Sequence, residues 1–317
     1  MTKLKPVQLQ LLDNMKNIKM KRISILLVAI FLGGILNAQQ LPQITQYMSN
    51  NYVVNPAVAG MYDYYQVNTT IRDQWSGGPR TTVISIYGKH SNKVGLGGTV
   101  YNDVTGPTSR SGGAASYTYA FSLNEKIKLS LALQAGFTQF KIIKSGLSVK
   151  DQSDPIMLGG NIVRVLPDAT FGFNLSGDKW YIGAAIPQLL SSELNLMEQK
   201  DEDFERLYGL SGKLARHVYV LGSYTYDINE VISIEPSFFL RSVNGAKTQT
   251  DIGIKSDYKE IFWLGMNYKM NNDLSSIAAL LGYKISERFN IGYSYGLPST
   301  DDFTGSHEVM LGVNFPN

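Results

Sequence analysis

The chain closes on Glu308-Val309-Met310-Leu311-Gly312-Val313-Asn314-Phe315, and this ending constrains the fold more than any other segment. Val309, Leu311, Val313 and Phe315 form one apolar face, while Glu308, Met310, Gly312 and Asn314 form a mostly polar or small one. Alternation with period two is a strand signal. A terminal strand with so apolar a face needs a neighbour on each side. A barrel crossing a membrane needs such a strand, because it must close against the first strand with lipid outside.

The same alternation recurs back to about residue 62. After Gly60, fourteen alternating segments can be drawn. The clearest sets Ile127, Leu129, Leu131, Leu133, Ala135 and Phe137 against Lys126, Lys128, Ser130, Ala132, Gln134, Gly136 and Thr138. Phe262, Leu264, Met266 and Tyr268 oppose Trp263, Gly265, Asn267 and Lys269 in the same way. A soluble sandwich would turn its apolar face inward, and alternation alone does not say which face is outside. The even strand count and the small second face favour a lipid-facing exterior. The expected fold is therefore all-β, an antiparallel up-and-down transmembrane barrel of about 14 strands over residues 62–317.

The connections obey the same scheme. Turns from even to odd strands are short, as at His90 to Lys93, Leu123 to Lys126 and Asp227 to Glu230. Long connections fall between odd and even strands: Asn102 to Arg110, Lys144 to Leu166, Gln188 to Arg216 and Leu297 to Gly305. Outer-membrane barrels with short periplasmic turns and an even strand count keep both termini periplasmic.

Residues 1–38 read as a secretory signal region. Lys16, Lys19, Lys21 and Arg22 precede the apolar run Ile23 to Ile35, and Leu36-Asn37-Ala38 supplies a small residue at the cleavage point. The first fourteen residues do not look like part of any signal, which points to Met15 or Met20 as alternative translation starts. Six of the 29 basic residues and one of the 26 acidic ones fall in this region, which leaves 23 against 25. The basic character thus belongs to the signal, and no nucleic-acid partner is implied. Cysteine is absent, which excludes disulfides, thiolate metal sites and a lipid-modified N-terminal Cys. Charged residues make up 17% of the chain, low against an average near 25%, and 19 Tyr, 13 Phe and 3 Trp can furnish interfacial girdles. Residues 39–61 precede the barrel and lack alternation. Asn50-Asn51-Tyr52 and Asn55-Pro56-Ala57 are turn-forming. This segment is either a periplasmic lead-in or a partial plug of the lumen.

No constellation of residues promises chemistry, and neither an enzyme nor a cofactor is expected. His90, His217 and His307 are far apart in sequence. His307-Glu308 begins like a zinc-protease motif, but Leu311 stands where the second His is required. Gly95-Leu96-Gly97-Gly98 lies within an alternating strand, with no helix to cradle a phosphate. The acidic run Lys200-Asp201-Glu202-Asp203-Phe204-Glu205-Arg206 lacks the ordered spacing of a calcium loop, and no G-x-S-x-G occurs.

Several ordered segments resemble a known family. Tyr52-Val53-Val54-Asn55-Pro56-Ala57-Val58-Ala59-Gly60 is similar to the N-terminal motif of the PorP/SprF family of type IX secretion membrane proteins. Ile71-Arg72-Asp73-Gln74-Trp75 resembles the family's Y-R-x-Q-W segment, with Ile71 in place of Tyr. Gly95-Leu96-Gly97, Tyr117-Thr118-Tyr119-Ala120 and Gly305-Ser306-His307-Glu308-Val309-Met310-Leu311 continue the likeness, which spans about Gln46 to Phe315. The resemblance implies an outer-membrane barrel of Bacteroidetes-type bacteria serving type IX secretion and gliding. Its implied partners are periplasmic ring lipoproteins or a peptidoglycan-binding protein, a secreted cell-surface adhesin, and outer-membrane lipid. Asn55, Pro56, Ala57, Gly60, Arg72, Gln74, Trp75, His307 and Glu308 become candidate partner-binding residues, and Val309, Leu311, Val313 and Phe315 the closing face. Two other classes stay open: a transporter of hydrophobic ligands like the fatty-acid-uptake barrels, and a diffusion porin.

Overall fold

The structure is a computed structural model, and it describes residues 41, 43–146, 160–195, 211–270, 276–298 and 304–316. Strands β1 (Tyr64–Asp73), β2 (Arg80–Lys89), β3 (Val94–Thr105), β4 (Thr108–Ser122), β5 (Lys128–Ile142), β6 (Ile162–Ser176) and β7 (Trp180–Ile186) pair in sequence order. A small hairpin, β8 (Glu193–Asn195) and β9 (Ser211–Lys213), stands apart from this sheet. The ladder resumes with β10 (His217–Tyr224) and its short extension β11 (Tyr226–Asp227), then β12 (Ile232–Val243) and β13 (Gln249–Tyr258). It ends with β14 (Phe262–Met270), β15 (Ser276–Lys284), β16 (Phe289–Gly296) and β17 (Ser306–Pro316). β17 pairs antiparallel with β1 from Tyr64↔Pro316 to Asp73↔His307, and β10 pairs with both β7 and β12. Counting β10 and β11 as one, this is a closed antiparallel barrel of 14 strands.

The faces are inverted relative to a soluble β-protein. Leu133, Phe137, Leu264 and Met266 point outward and are more than half exposed, whereas Asn68, Thr118, Asn174 and Asn267 are fully buried in the interior. An apolar belt running round a whole barrel far exceeds the patches that water-exposed proteins carry, so lipid is its solvent. Arg at Leu133 should therefore lower unfolding stability in lipid bilayers by about 2–4 kcal/mol, while Phe there should be nearly neutral. Equal stability of Leu133→Arg and the unmodified protein in a denaturant titration would reject the outward assignment.

Two connections differ from the sequence reading. The stretch from Asn102 to Arg110 is not a long loop: β3 and β4 continue to a tight turn at Gly106-Pro107, where Gly106 takes a positive φ of 54°. Above the lipid both faces of such a hairpin are wet, so the polar residues Asn102, Asp103, Ser109 and Ser111 hide the alternation. The stretch from Lys144 to Leu166 is likewise shortened, because β6 already begins at Ile162. β4, β5 and β6 each have 15 residues, more than the roughly 9–11 that span a bilayer. The wall thus rises highest here and is lowest next door, at the seven-residue β7.

Candidate functional site

The lumen is occupied by the chain's own residues. Gln43 to Tyr62 run through it as a strap, from the end bearing the long connections to the end bearing the short turns. Two 3₁₀ turns, Asn51–Val53 and Pro56–Gly60, compact its lower half. Asn55 caps the second: its side chain accepts the Ala57 N–H at 3.0 Å and donates to the Phe173 carbonyl at 2.8 Å. Pro56 sits at the first helical position, where a missing N–H costs nothing.

Polar groups on the wall meet polar groups on the strap along its whole length. At the long-connection end, the N–H groups of Thr45 and Gln46 donate to the two oxygens of Glu308 at 2.7 and 2.8 Å. Arg72 Nη1 donates to Thr45 Oγ1 at 2.7 Å and to the Gln43 carbonyl at 3.2 Å, and lies 3.6 Å from Glu308 Oε2. Asn267 and Lys269 of β14 reach the Thr45 carbonyl and hydroxyl. Midway, Tyr47 bonds Ser237, Asn50 bonds Ser85, and the Tyr52 hydroxyl bonds Ser116 at 2.8 Å. The Tyr52 ring stacks on Tyr87 with centroids 4.6 Å apart. This approach requires glycine in the wall, since a Cβ on Gly97 would come within 2.5 Å of the Tyr52 ring. Lower still, the Thr118 hydroxyl donates to the Pro56 carbonyl, and Asn174 meets Met61 Sδ. The Asn, Ser and Thr side chains named here each make at least one hydrogen bond, while Oδ1 of Asn174 and of Asn267 and the hydroxyls of Thr70 and Thr99 are buried without one.

The residues singled out by sequence thus separate into two groups. Asn55, Pro56, Ala57, Gly60, Arg72 and Glu308 are all buried inside the barrel. Arg72 and Glu308 are cross-strand partners in the β1–β17 register, so the seam that closes the barrel also holds the strap. Gln74 and Trp75 lie in the β1–β2 turn, where Gln74 N–H donates to the Pro79 carbonyl and Trp75 has a φ of 44°. His307 is exposed at the start of β17 and bonds the Tyr293 hydroxyl at 2.7 Å. Val309, Leu311 and Phe315 face outward and are 40–50% exposed, and Val313 lies on the same face. The acidic run at 200–206 lies outside the described residues.

Sequence reasoning missed Thr45, Gln46, Tyr47, Asn267, Lys269 and the ion pair Arg241–Asp251, whose contact is 2.7 Å. The available signal was the charge at lumen-facing positions: a buried Lys or Arg in a barrel wall needs an internal partner. The strap also places the described ends on opposite sides. The even strand count brings Pro316 beside Tyr64, but the extra crossing carries Gln43 to the far end, where it bonds Gln249.

At the short-turn end, three turns are built alike. Leu123-Asn124-Glu125, Ile228-Asn229-Glu230 and Ile285-Ser286-Glu287 each present an exposed aliphatic residue, then a polar cap, then an acid. Asn124 and Asn229 accept two following backbone N–H groups through Oδ1, and Ser286 does so through Oγ. They join β4 to β5, β11 to β12 and β15 to β16, so they are distributed round the ring. Asp63 belongs to the same rim, and the 2.6 Å hydrogen bond from Lys89 holds its carboxyl below the usual carboxylate range. Among the described residues no group of three His, Cys, Asp or Glu is placed to hold a metal.

Solved structures of similar shape are barrels with little sequence in common. The Pseudomonas putida toluene transporter TodX aligns at 10% identity and a TM-score of 0.47, covering 90% of this chain and 96% of that one. The Acinetobacter baumannii outer membrane protein Omp33 aligns at 7% and 0.46, covering 80% and 98%. A Pseudomonas aeruginosa FadL homologue aligns at 10% and 0.45, covering 83% and 92%. No curated protein matches the chain. The family profile described as type IX secretion system membrane protein PorP/SprF matches residues 36–313. With nearly the whole barrel inside that match, the chain belongs to the PorP/SprF family of type IX secretion membrane proteins.

Proposed function

We propose that this outer-membrane barrel is a non-catalytic, partner-binding component of the type IX machinery, acting through its two faces rather than through its pore. The observation that carries this reading is the occupied lumen: residues 44–60 are almost all buried within the wall, which leaves no channel for a folded cargo. The diffusion-porin reading loses support for the same reason.

The short turns face the periplasm by the usual orientation of such barrels. The three like-built turns supply a ring of aliphatic and acidic contacts for a periplasmic ring lipoprotein or peptidoglycan-binding protein. The long connections supply the face for a secreted adhesin. Asn55, Pro56, Ala57, Gly60, Arg72 and Glu308 serve this role indirectly, by fixing the strap. Gln74, Trp75 and His307 lie at the long-connection rim, and we assign them to contact with the external partner.

The test is capture of partners from the native host after solubilisation, read by mass spectrometry. Protein carrying Glu125→Lys, Glu230→Lys and Glu287→Lys together should still insert, yet lose its periplasmic partners while keeping external ones. A deletion strain that displays its surface proteins normally but fails to take up a hydrophobic nutrient would replace this reading with the transporter one.

A further inference from the structure

The strap does not fill the lumen evenly. Beside it remains a cavity of about 150 Å³, bounded by Val54 and Pro56 of the strap and by Val83, Ala114, Phe239 and Asp168 of the wall. A cavity of about this volume is known to admit one benzene-sized molecule. Unlike a purely apolar void, this one has a carboxylate in its wall. Asp168 is held by backbone N–H groups, those of Ala169 at 2.8 Å and of Gln188. Arg241, which also borders the cavity, is already neutralised by Asp251. The wall therefore offers apolar surface and, in Asp168, one carboxylate acceptor with spare lone pairs.

The covering of the cavity is also the least regular part of the barrel. β6 pairs with β7 only from Phe171 to Ser176, because β7 stops at Ile186 and β10 starts at His217. Above that point the edge of β6 carries Pro167, which has no N–H to offer a neighbouring strand. The connection after β7 covers it instead: Leu189 N–H donates to the Ala169 carbonyl and Ser192 Oγ to the Pro167 carbonyl. Gln188 and Ser191 in this connection have φ of 57° and 48°, costly for residues with a side chain. These two hydrogen bonds, that of Gln188 N–H to Asp168 and strained backbone border the cavity where a full ladder would otherwise stand.

We propose that this cavity is a binding site for a small apolar amine, a single-ring or similarly compact body carrying one protonated nitrogen, reached past the stretch from Gln188 to Ser192. The apolar body lies against Val54, Val83 and Phe239, and the ammonium donates to Asp168. The site is independent of the partner-binding role.

Binding of benzylamine, benzyl alcohol and benzoate to the detergent-solubilised protein, followed by ligand-observed NMR, tests this. Benzylamine should bind best and benzoate worst. Asp168→Asn should weaken benzylamine by about tenfold, the effect of losing one charge-assisted hydrogen bond, and leave benzyl alcohol little changed. Ala114→Trp should abolish binding of all three while heat-modifiable migration on gels shows an intact barrel. If Ala114→Trp does not fold, Val83→Phe fills the same space. Absence of benzylamine binding, benzoate binding as well as benzylamine, or binding that survives both variants would overturn the proposal.

Discussion

Deletion of the chain from Val309 onward should leave no heat-modifiable, membrane-embedded protein. β17 bonds along its length to β1 on one side and β16 on the other. Its loss exposes two ladder edges to hydrocarbon, where each unsatisfied N–H or carbonyl costs several kcal/mol. No rearrangement of side chains recovers so many bonds, so the product should be degraded or aggregate in the periplasm. Phe315→Asp acts on the same seam more gently, placing a charge on the outward face close to the end of the strand. Recovery of folded barrel from the deletion, read by the gel shift between boiled and unboiled samples, would refute closure through β17.

This closing strand was legible in the sequence because its two faces differ so sharply. The same alternation located the outward residues of β5 and β14, and the tight even-to-odd turns located the chain reversals. Where both faces are wet, alternation carries no information, and so the β3–β4 hairpin read as a loop from Asn102 to Arg110. The strap was undetermined for a related reason. Asn50, Asn51 and Asn55 favour turns whether they lie in the periplasm or against a polar lumen wall. Only the wall distinguishes these cases, through glycine at position 97 and hydroxyls at Ser85, Ser116 and Thr118. Arg72 and Glu308 were each visible as motif residues, yet 236 positions apart in sequence. Their meeting follows from the register of β1 against β17, and their shared hold on Thr45 follows from the strap's path. Neither can be read from a one-dimensional pattern.

Glu308→Ala should open the pore while leaving the barrel closed. In the intact protein the carboxylate accepts two backbone N–H groups and faces Arg72, all in a buried setting. Its removal leaves the Arg72 guanidinium without its counter-charge and two backbone donors without their acceptor, and breaking a buried charged pair on one side costs about 3–5 kcal/mol. The upper half of the strap has few other anchors: Arg72 to Thr45 and the Gln43 carbonyl, Gln43 to Gln249, Gln46 to the Glu308 carbonyl, and the bonds from Asn267 and Lys269 to Thr45. The lower half keeps Tyr52 on Ser116 and Tyr87, and Asn55 on Phe173. Release should therefore be partial, with Gln43 to Met48 detaching first. In planar bilayers the unmodified protein should be almost silent, and Glu308→Ala should show stepwise openings. Glu308→Gln keeps one acceptor for the Thr45 or Gln46 N–H, so it should open more rarely. Deleting residues 43–60 should give the largest and steadiest conductance, since nothing then occupies the lumen. Heat-modifiable migration checks that closure between β1 and β17 survives in each variant. Silence in both Glu308→Ala and the strap deletion, with intact barrels, would mean that something other than the strap seals the pore.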